Sequence, residues 1–392
     1  MKRSTKMPFW SGGVIFAILL LSGTICAADV VKIGLNLALS GGREASGLAI
    51  KAGAEMVRDE INGAGGITIG DKKYTIEYVI TDNRSNVQQG VNNALKLITK
   101  DNVLAILGPS DSSRAIPAGG IADAFKTPMV SPMSTNPKTT LNRPFVFRTC
   151  FLDPFQGEAM ATFVTEELGV DKAAVLFNIA DAYPKGLAEY FKASFEKKNG
   201  EGSVVAYEDF LTNEVDLSAH LKRIVASGAE VLFVPQYDNE IPRIVKQAKA
   251  AGWNKVILGG DAWETSGLME QCGDMCKGFY FTSHFAAIGA KGKAEAFVGR
   301  YQQKMNALPT GDGATGYDAM SLIVTAISSL DSLSSNMTKA RSDVKDKMAS
   351  VRGFEGVSGV LDMTTGGDPA KSAVVIRIND AGEFESHKII NP

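Results

Sequence analysis

Histidine is scarce, with three in 392 residues. His220 lies in a helical pattern, His284 stands alone and His387 falls near the C-terminus. The sequence also lacks a G-x-S-x-G elbow, an H-E-x-x-H helix and a G-x-x-x-x-G-K-[ST] loop. These absences remove the usual nucleophile–base, zinc and phosphate-loop chemistries. Gly41, Gly42 and Gly47 miss the G-x-G-x-x-G spacing of a dinucleotide loop. Asp82 occupies the place of a ribose-binding acid, which is equally a routine helix-capping position. No catalytic residue, metal or cofactor is therefore expected. Charge of one sign is missing as well: 41 Lys and Arg face 43 Asp and Glu. That balance gives nucleic acid and anionic membranes no foothold.

Long apolar runs are absent beyond the N-terminus, where none approaches the roughly 18 residues of a membrane helix. At the N-terminus, Lys2, Arg3 and Lys6 precede the apolar run Val14 to Leu21 and a small-residue stretch ending in Cys26-Ala27-Ala28. This is the layout of a secretory leader, with cleavage expected after Ala28. A lipid on Cys26 is the other processing route, and the bulky Ile25 before it argues against that route. Residues 1–28 are thus read as a signal peptide and the remainder as periplasmic. Cleavage leaves 364 residues, too many for one ordinary core, so two domains are expected. The leader takes three basic residues and no acidic one, leaving 38 against 43 and a net charge near −5.

Cysteine is sparse too, at four. After cleavage Cys272 and Cys276 are expected to pair in an oxidising compartment, closing a short loop for about 2 kcal/mol. Cys150 reads as a small buried hydrophobe.

What is abundant is alternation. Strands are expected at Val30 to Leu37, Tyr74 to Thr81, Val103 to Leu107 and Met129-Val130. A second series is expected at Ala173 to Asn178, Ser203 to Tyr207, Val231 to Val234 and Val256 to Leu258. Helical patterns at Gly47 to Asn62, Val87 to Thr99, Phe155 to Leu168, Leu187 to Lys198 and Leu217 to Ala226 lie between them. The rhythm restarts after about residue 150. Strands separated by helices of this length imply an α/β fold with parallel sheets covered on both faces, in two similar lobes.

In open parallel sheets ligands sit beyond the carboxyl ends of the strands. Those positions hold Leu39 to Gly47, Gly108 to Ser113 and Ser131 to Pro137, and in the second series Tyr183, Tyr237 and Asp261-Ala262-Trp263. Serines at a helix N-terminus form a neutral site for a carboxylate. Ser112 and Thr135 add hydroxyls, Asp261 offers an anion to an ammonium group, and tyrosines close over the ligand body. Helix capping by Ser112 and Asp261 accounts for the same residues equally well.

These segments together resemble the substrate-binding proteins of the branched-chain amino-acid transport family, the type I periplasmic binding proteins, from about Val31 to about Asp362. The landmarks are Leu39-Ser40-Gly41, Asp59-Glu60-Ile61-Asn62 with Gly65-Gly66-Ile67, Thr81-Asp82-Asn83 and Gly108-Pro109-x-x-Ser112. Ser131-Pro132, Phe147-Arg148-Thr149, Gln156-Gly157, Gln247-Ala248 with Ala251-Gly252, and Gly316-Tyr317-Asp318-Ala319 follow in order. The resemblance implies two Rossmann-like lobes joined by a three-crossover hinge, with crossovers near 150, 283 and 357. Lobe 1 is then 29–150 with 284–357, and lobe 2 is 151–283 with 358–392.

It also implies roles. Ser112, assisted by Met133 and Thr135, takes the ligand carboxylate; Asp261 takes the α-ammonium; Tyr183 and Tyr237 close from the second lobe. Ser46 stands where some relatives have a pocket tyrosine, Trp263 adds bulk, and Pro184 replaces a common glycine. The implied function is capture of a small amino acid by a monomer. Delivery to the permease and ATPase subunits of an ABC transporter follows. An organic acid without an amine is the second ligand reading; a sensory subunit and a periplasmic hydrolase are the readings from other classes.

Overall fold

A computed structural model describes residues 1, 2, 4–7, 29–364 and 366–392. The expected apolar core of the leader, its cleavage site and Cys26 lie outside them.

The first sheet is built from β1 (Asp29–Leu37), β2 (Ile67–Ile69), β3 (Lys72–Asp82), β4 (Ala105–Leu107), β5 (Met129–Ser131) and β6 (Val146–Arg148), in the order β2-β3-β1-β4-β5-β6. Its pairs are parallel except for the β2–β3 hairpin. From Ile33 to Leu37 every residue of β1 is buried, as a strand covered on both faces requires. The covering helices are amphipathic. In α1 (Glu44–Gly63) the buried Ser46, Ile50, Ala54 and Val57 recur at helical spacing. In α2 (Val87–Thr99), Asn86 caps the first turn by accepting a bond from Gln89 N at 2.9 Å. A third helix, α3 (Ser112–Ala124), follows β4.

α1 packs against the helix Gly311–Ser328 with almost no side chain between the backbones. A Cβ on Gly53 would collide with the Gly313 carbonyl, and one on Gly316 would lie 2.7 Å from the Ile50 carbonyl. This close approach sets the N-terminal ends of both helices beside each other, where Ser46 and Asp312 meet.

The second sheet holds β7 (Ala173–Asn178), β8 (Val204–Phe210), β9 (Val231–Phe233), β10 (Ile257–Gly259) and β11 (Tyr280–Ser283), which pair in parallel. A small antiparallel ribbon follows: β12 (Phe354–Glu355), β13 (Val360–Met363) and β14 (Pro369–Ala370). The antiparallel pair β15 (Ala373–Ile378) and β16 (Phe384–Ile390) then completes the second sheet as β16-β15-β11-β10-β9-β7-β8. Cys272 and Cys276 are bonded, with Cα atoms 5.8 Å apart, and Cys150 is free and buried.

Each sheet has its own cores. On the first sheet, one core joins residues of β1 to β6 with Phe285, Phe297 and the helix Gly311–Ser328, and another lies under α2 and α3; two more fill both faces of the second sheet. The chain crosses near 150 and near 284. The third crossing differs from the expected 357. Leu361 and Met363 are buried in the first core, because β13 pairs back onto β12 and turns alternate side chains inward. Asp368 then holds Arg148 and Thr140 of the first lobe. Residues 358–364 and 366–370 therefore sit with lobe 1, and the chain enters the second sheet at Ala373.

Candidate functional site

The carboxyl ends of both sheets face one another, as ligand-binding crevices of such sheets do. A small cavity between them is lined by Arg43, Asp111, Ser112, Met133, Tyr183, Tyr237, Asp261 and Ala262. Five of the expected residues are in this set: Ser112, Met133, Tyr183, Tyr237 and Asp261.

Neither capping alternative describes the geometry. Ser112 is the first residue of α3, and its N-cap is Asp111. The Ser112 Oγ accepts from Ser134 Oγ at 3.1 Å and from Asn136 N at 3.3 Å, so its own proton remains to be donated. Asp261 follows its N-cap Gly260 and sends its side chain away from the backbone. Its Oδ1 accepts from Tyr183 OH and from Gln156 Nε2, both at 2.8 Å. His284 Nε2 lies 3.3 Å from Oδ2. Burial lowers the His284 pKa, against the opposing pull of Asp261. Gly260 permits the arrangement, since a Cβ there would strike the Tyr183 hydroxyl. The α5 helix is the next after α4 (Asp153–Glu166) and spans Ala182–Asn199; Asp181 caps it by accepting from Tyr183 N.

The remaining three expected residues lie elsewhere. Thr135 is buried, with its hydroxyl unpaired among the described residues, and its carbonyl accepts from Asp153 N at 2.9 Å. Ser46 donates to Asp312 Oδ1 at 2.7 Å. Trp263 is a correction: its ring is fully buried in the second lobe's core, folded against Gly259, with Nε1 bonded to Val234 O at 3.1 Å. The missing side chain at Gly259 gives the indole its place, so Trp263 adds bulk to the core and none to the cavity.

Sequence reasoning missed the charged wall. Arg43 Nε donates to Asp111 Oδ1 at 3.0 Å, and its Nη1 pairs with Asp238 of the second lobe. Its guanidinium also lies 4.7 Å from the centre of the Tyr237 ring. Asp111 is further paired with Arg114, and Asp238 accepts from Thr265 Oγ1 at 2.6 Å. Burial disfavours the charges of Arg43, Asp111 and Arg114, but the pairing wins. The guanidiniums of Arg114 and Arg43 hold Asp111 well below the usual carboxylate range, and Asp238, Asp111 and Asp312 raise Arg43. A lone arginine just after the first strand, in a stretch of small residues, was the available signal.

Glu264 is a second missed contact between lobes. Its Oε2 accepts from Gly311 N at 3.0 Å and from the Ser283 hydroxyl. Burial pushes its carboxyl up to about 8, with these hydrogen bonds opposing. A raised carboxyl pKa favours the folded state fully below the unfolded value near 4.3, and that contribution is lost as pH rises through about 8. Glu264→Gln keeps an oxygen for both donors and cannot ionise. Its melting temperature should therefore fall less than that of the wild type between pH 6 and 9. Parallel curves in differential scanning calorimetry would show that Glu264 ionises there without cost.

The family model described as periplasmic binding protein matches residues 30–383. A Leu/Ile/Val-binding protein homolog from Brucella melitensis is 31% identical over 271 residues, 69% of this chain and 71% of that protein. Among solved structures, a leucine-binding protein from Thermotoga maritima superposes with a TM-score of 0.84 at 32% identity, covering 92% of this chain and 99% of that one. A branched-chain amino-acid transporter substrate-binding protein from Streptococcus pneumoniae, in complex with isoleucine, gives 0.83 at 31% identity, covering 93% and 100%.

Proposed function

Because the chain belongs to the periplasmic binding protein family, in its leucine/isoleucine/valine-binding branch, we propose that it captures a small amino acid between its lobes for an ABC transporter. The observation that carries this reading is the pairing of Ser112 and Asp261 on one cavity, from opposite lobes. A hydroxyl beside the N-terminus of α3 suits a carboxylate, and a buried acid 2.8 Å from Tyr183 suits an ammonium. Thr135 lends its unpaired hydroxyl to the carboxylate end, and Tyr183 and Tyr237 cover the ligand from lobe 2. Ser46 supports the wall through Asp312.

Export rests on the leader, cleaved near Ala28, and the mature protein acts as a monomer outside the cytoplasm. The ligand stabilises the closed lobes through its contacts to Tyr183, Tyr237 and Asp261, and the closed form engages the permease, with partner ATPases supplying the energy. Two measurements on the mature chain test this together. A thermal-shift screen of the common amino acids and simple organic acids should raise the melting temperature for an amino acid. Small-angle scattering should then show a smaller radius of gyration at saturation. A saturated protein with unchanged scattering counts against hinge closure.

A further inference from the structure

The cavity has an unusual wall for a hydrocarbon ligand. Of its eight lining residues, only Met133 and Ala262 are aliphatic; the tyrosine rings supply the rest of the apolar surface. With the ammonium at Asp261 and the carboxylate at Ser112, the ligand's side chain is left with Arg43 and Asp111 on the wall, backed by Asp238, which pairs with Arg43 without lining the cavity. All three are nine-tenths or more buried. Arg43 uses Nε and Nη1 on the two carboxylates, while its Nη2 donates to none of the described residues. A branched hydrocarbon set there would strip water from a guanidinium edge and return no hydrogen bond.

We propose that the ligand carries a short, neutral polar side chain, a hydroxyl or a primary amide, that accepts from Arg43 and donates to the carboxylate of Asp111. This rests on the amino-acid reading above and names the ligand class within it. Charged side chains fit less well. Arg43 and Arg114 already balance Asp111 and Asp238, so an added carboxylate meets two acids and an added cation meets two guanidiniums. The same cluster joins the lobes, since Arg43 and Asp111 precede and begin lobe 1 helices whereas Asp238 follows β9. A side chain that bonds into it strengthens closure, which an apolar one cannot do.

Threonine and valine have the same shape and differ by a hydroxyl, so they isolate the effect. Calorimetric titration of the mature wild type should give threonine a Kd roughly ten- to a hundredfold below that of valine, the effect of one hydrogen bond to a charged group. Asparagine should exceed leucine in the same sense. In Arg43→Met the threonine advantage should shrink towards unity, with Asp111 still paired to Arg114 and Asp238 to Thr265. Asp238→Asn is the second variant, expected to reduce the same ratio, and circular dichroism verifies that each is folded. Valine binding as tightly as threonine overturns the proposal while leaving amino-acid capture intact, as does tighter binding of aspartate or lysine than of threonine. If no amino acid binds, the functional reading falls and this one with it.

Discussion

Asp261→Asn is expected to bind an amino acid about thirty- to several-thousand-fold more weakly than the wild type, while keeping its fold. In the proposed site the α-ammonium would be cut off from water and would meet Asp261, which lines the cavity beside Tyr183. Removing that charge leaves the cation buried without a partner, a loss of roughly 2–5 kcal/mol. Of the neighbouring acids, Asp111 is already taken by Arg43 and Arg114, and Asp153 offers no substitute. Burial pushes the Asp153 carboxyl up to about 8, with Asp261 adding to the rise and Arg148 opposing it, so near neutral pH it is mostly uncharged. Ser112→Ala provides the contrast. It removes one charge-assisted hydrogen bond, roughly 1.5–3 kcal/mol, from the carboxylate end. It should weaken an amino acid and its deaminated acid alike, whereas Asp261→Asn should narrow the difference between the two. Wild-type affinity for amino acids in folded Asp261→Asn would defeat the clamp and favour an organic acid as ligand.

How far these residues could be read in advance depended on distance along the chain. β1 and β7 are continuous buried runs of five or more residues, and both were legible, as was the Val87–Thr99 helix. β6 has three residues, too few for any period to appear, and no strand was expected there. The strands of the β12–β14 ribbon have two to four residues, equally short of a readable period, which is why the third crossing was placed too early. At the site, Ser112, Met133 and Asp261 announced themselves by following strands. Arg43 did not, because its meaning lies in partners 68 and 195 residues away. Read alone, it is a polar residue in a polar loop. Trp263 misled for the opposite reason: it stands two residues after Asp261, yet the short helical turn there swings its ring back over Gly259 into the core. Strand ends mark which segments reach the cleft; which side chains then face the cavity is decided by packing across the lobes.

That dependence makes Arg148 the most damaging single position outside the cavity. Its side chain is fully buried and holds four groups at once: Nη1 bonds Ser134 O, Nη2 bonds Asn136 O at 3.0 Å and Thr140 Oγ1 at 2.8 Å, and Nε bonds Asp368 at 2.7 Å. It thereby pins the loop after β5 and ties the segment around Asp368 to lobe 1, just before the chain's third crossing. Arg148→Met fills similar volume but strands two carbonyls and a carboxylate, a cost of about 3–5 kcal/mol. For a protein of this size that corresponds to a fall of roughly 4–7 °C in melting temperature. Affinity should drop as well, by about tenfold, the weight of one hydrogen bond. Ser134 and Asn136, released from Arg148, are the groups whose hydrogen bonds orient the Ser112 hydroxyl. Arg148→Lys should recover little, because one ammonium cannot reproduce a planar fork spread over four acceptors. A melting temperature within about 2 °C of wild type for Arg148→Met, measured by calorimetry, would mean that the loop holds its shape without the arginine, and Ser112 would then owe its orientation to α3 alone.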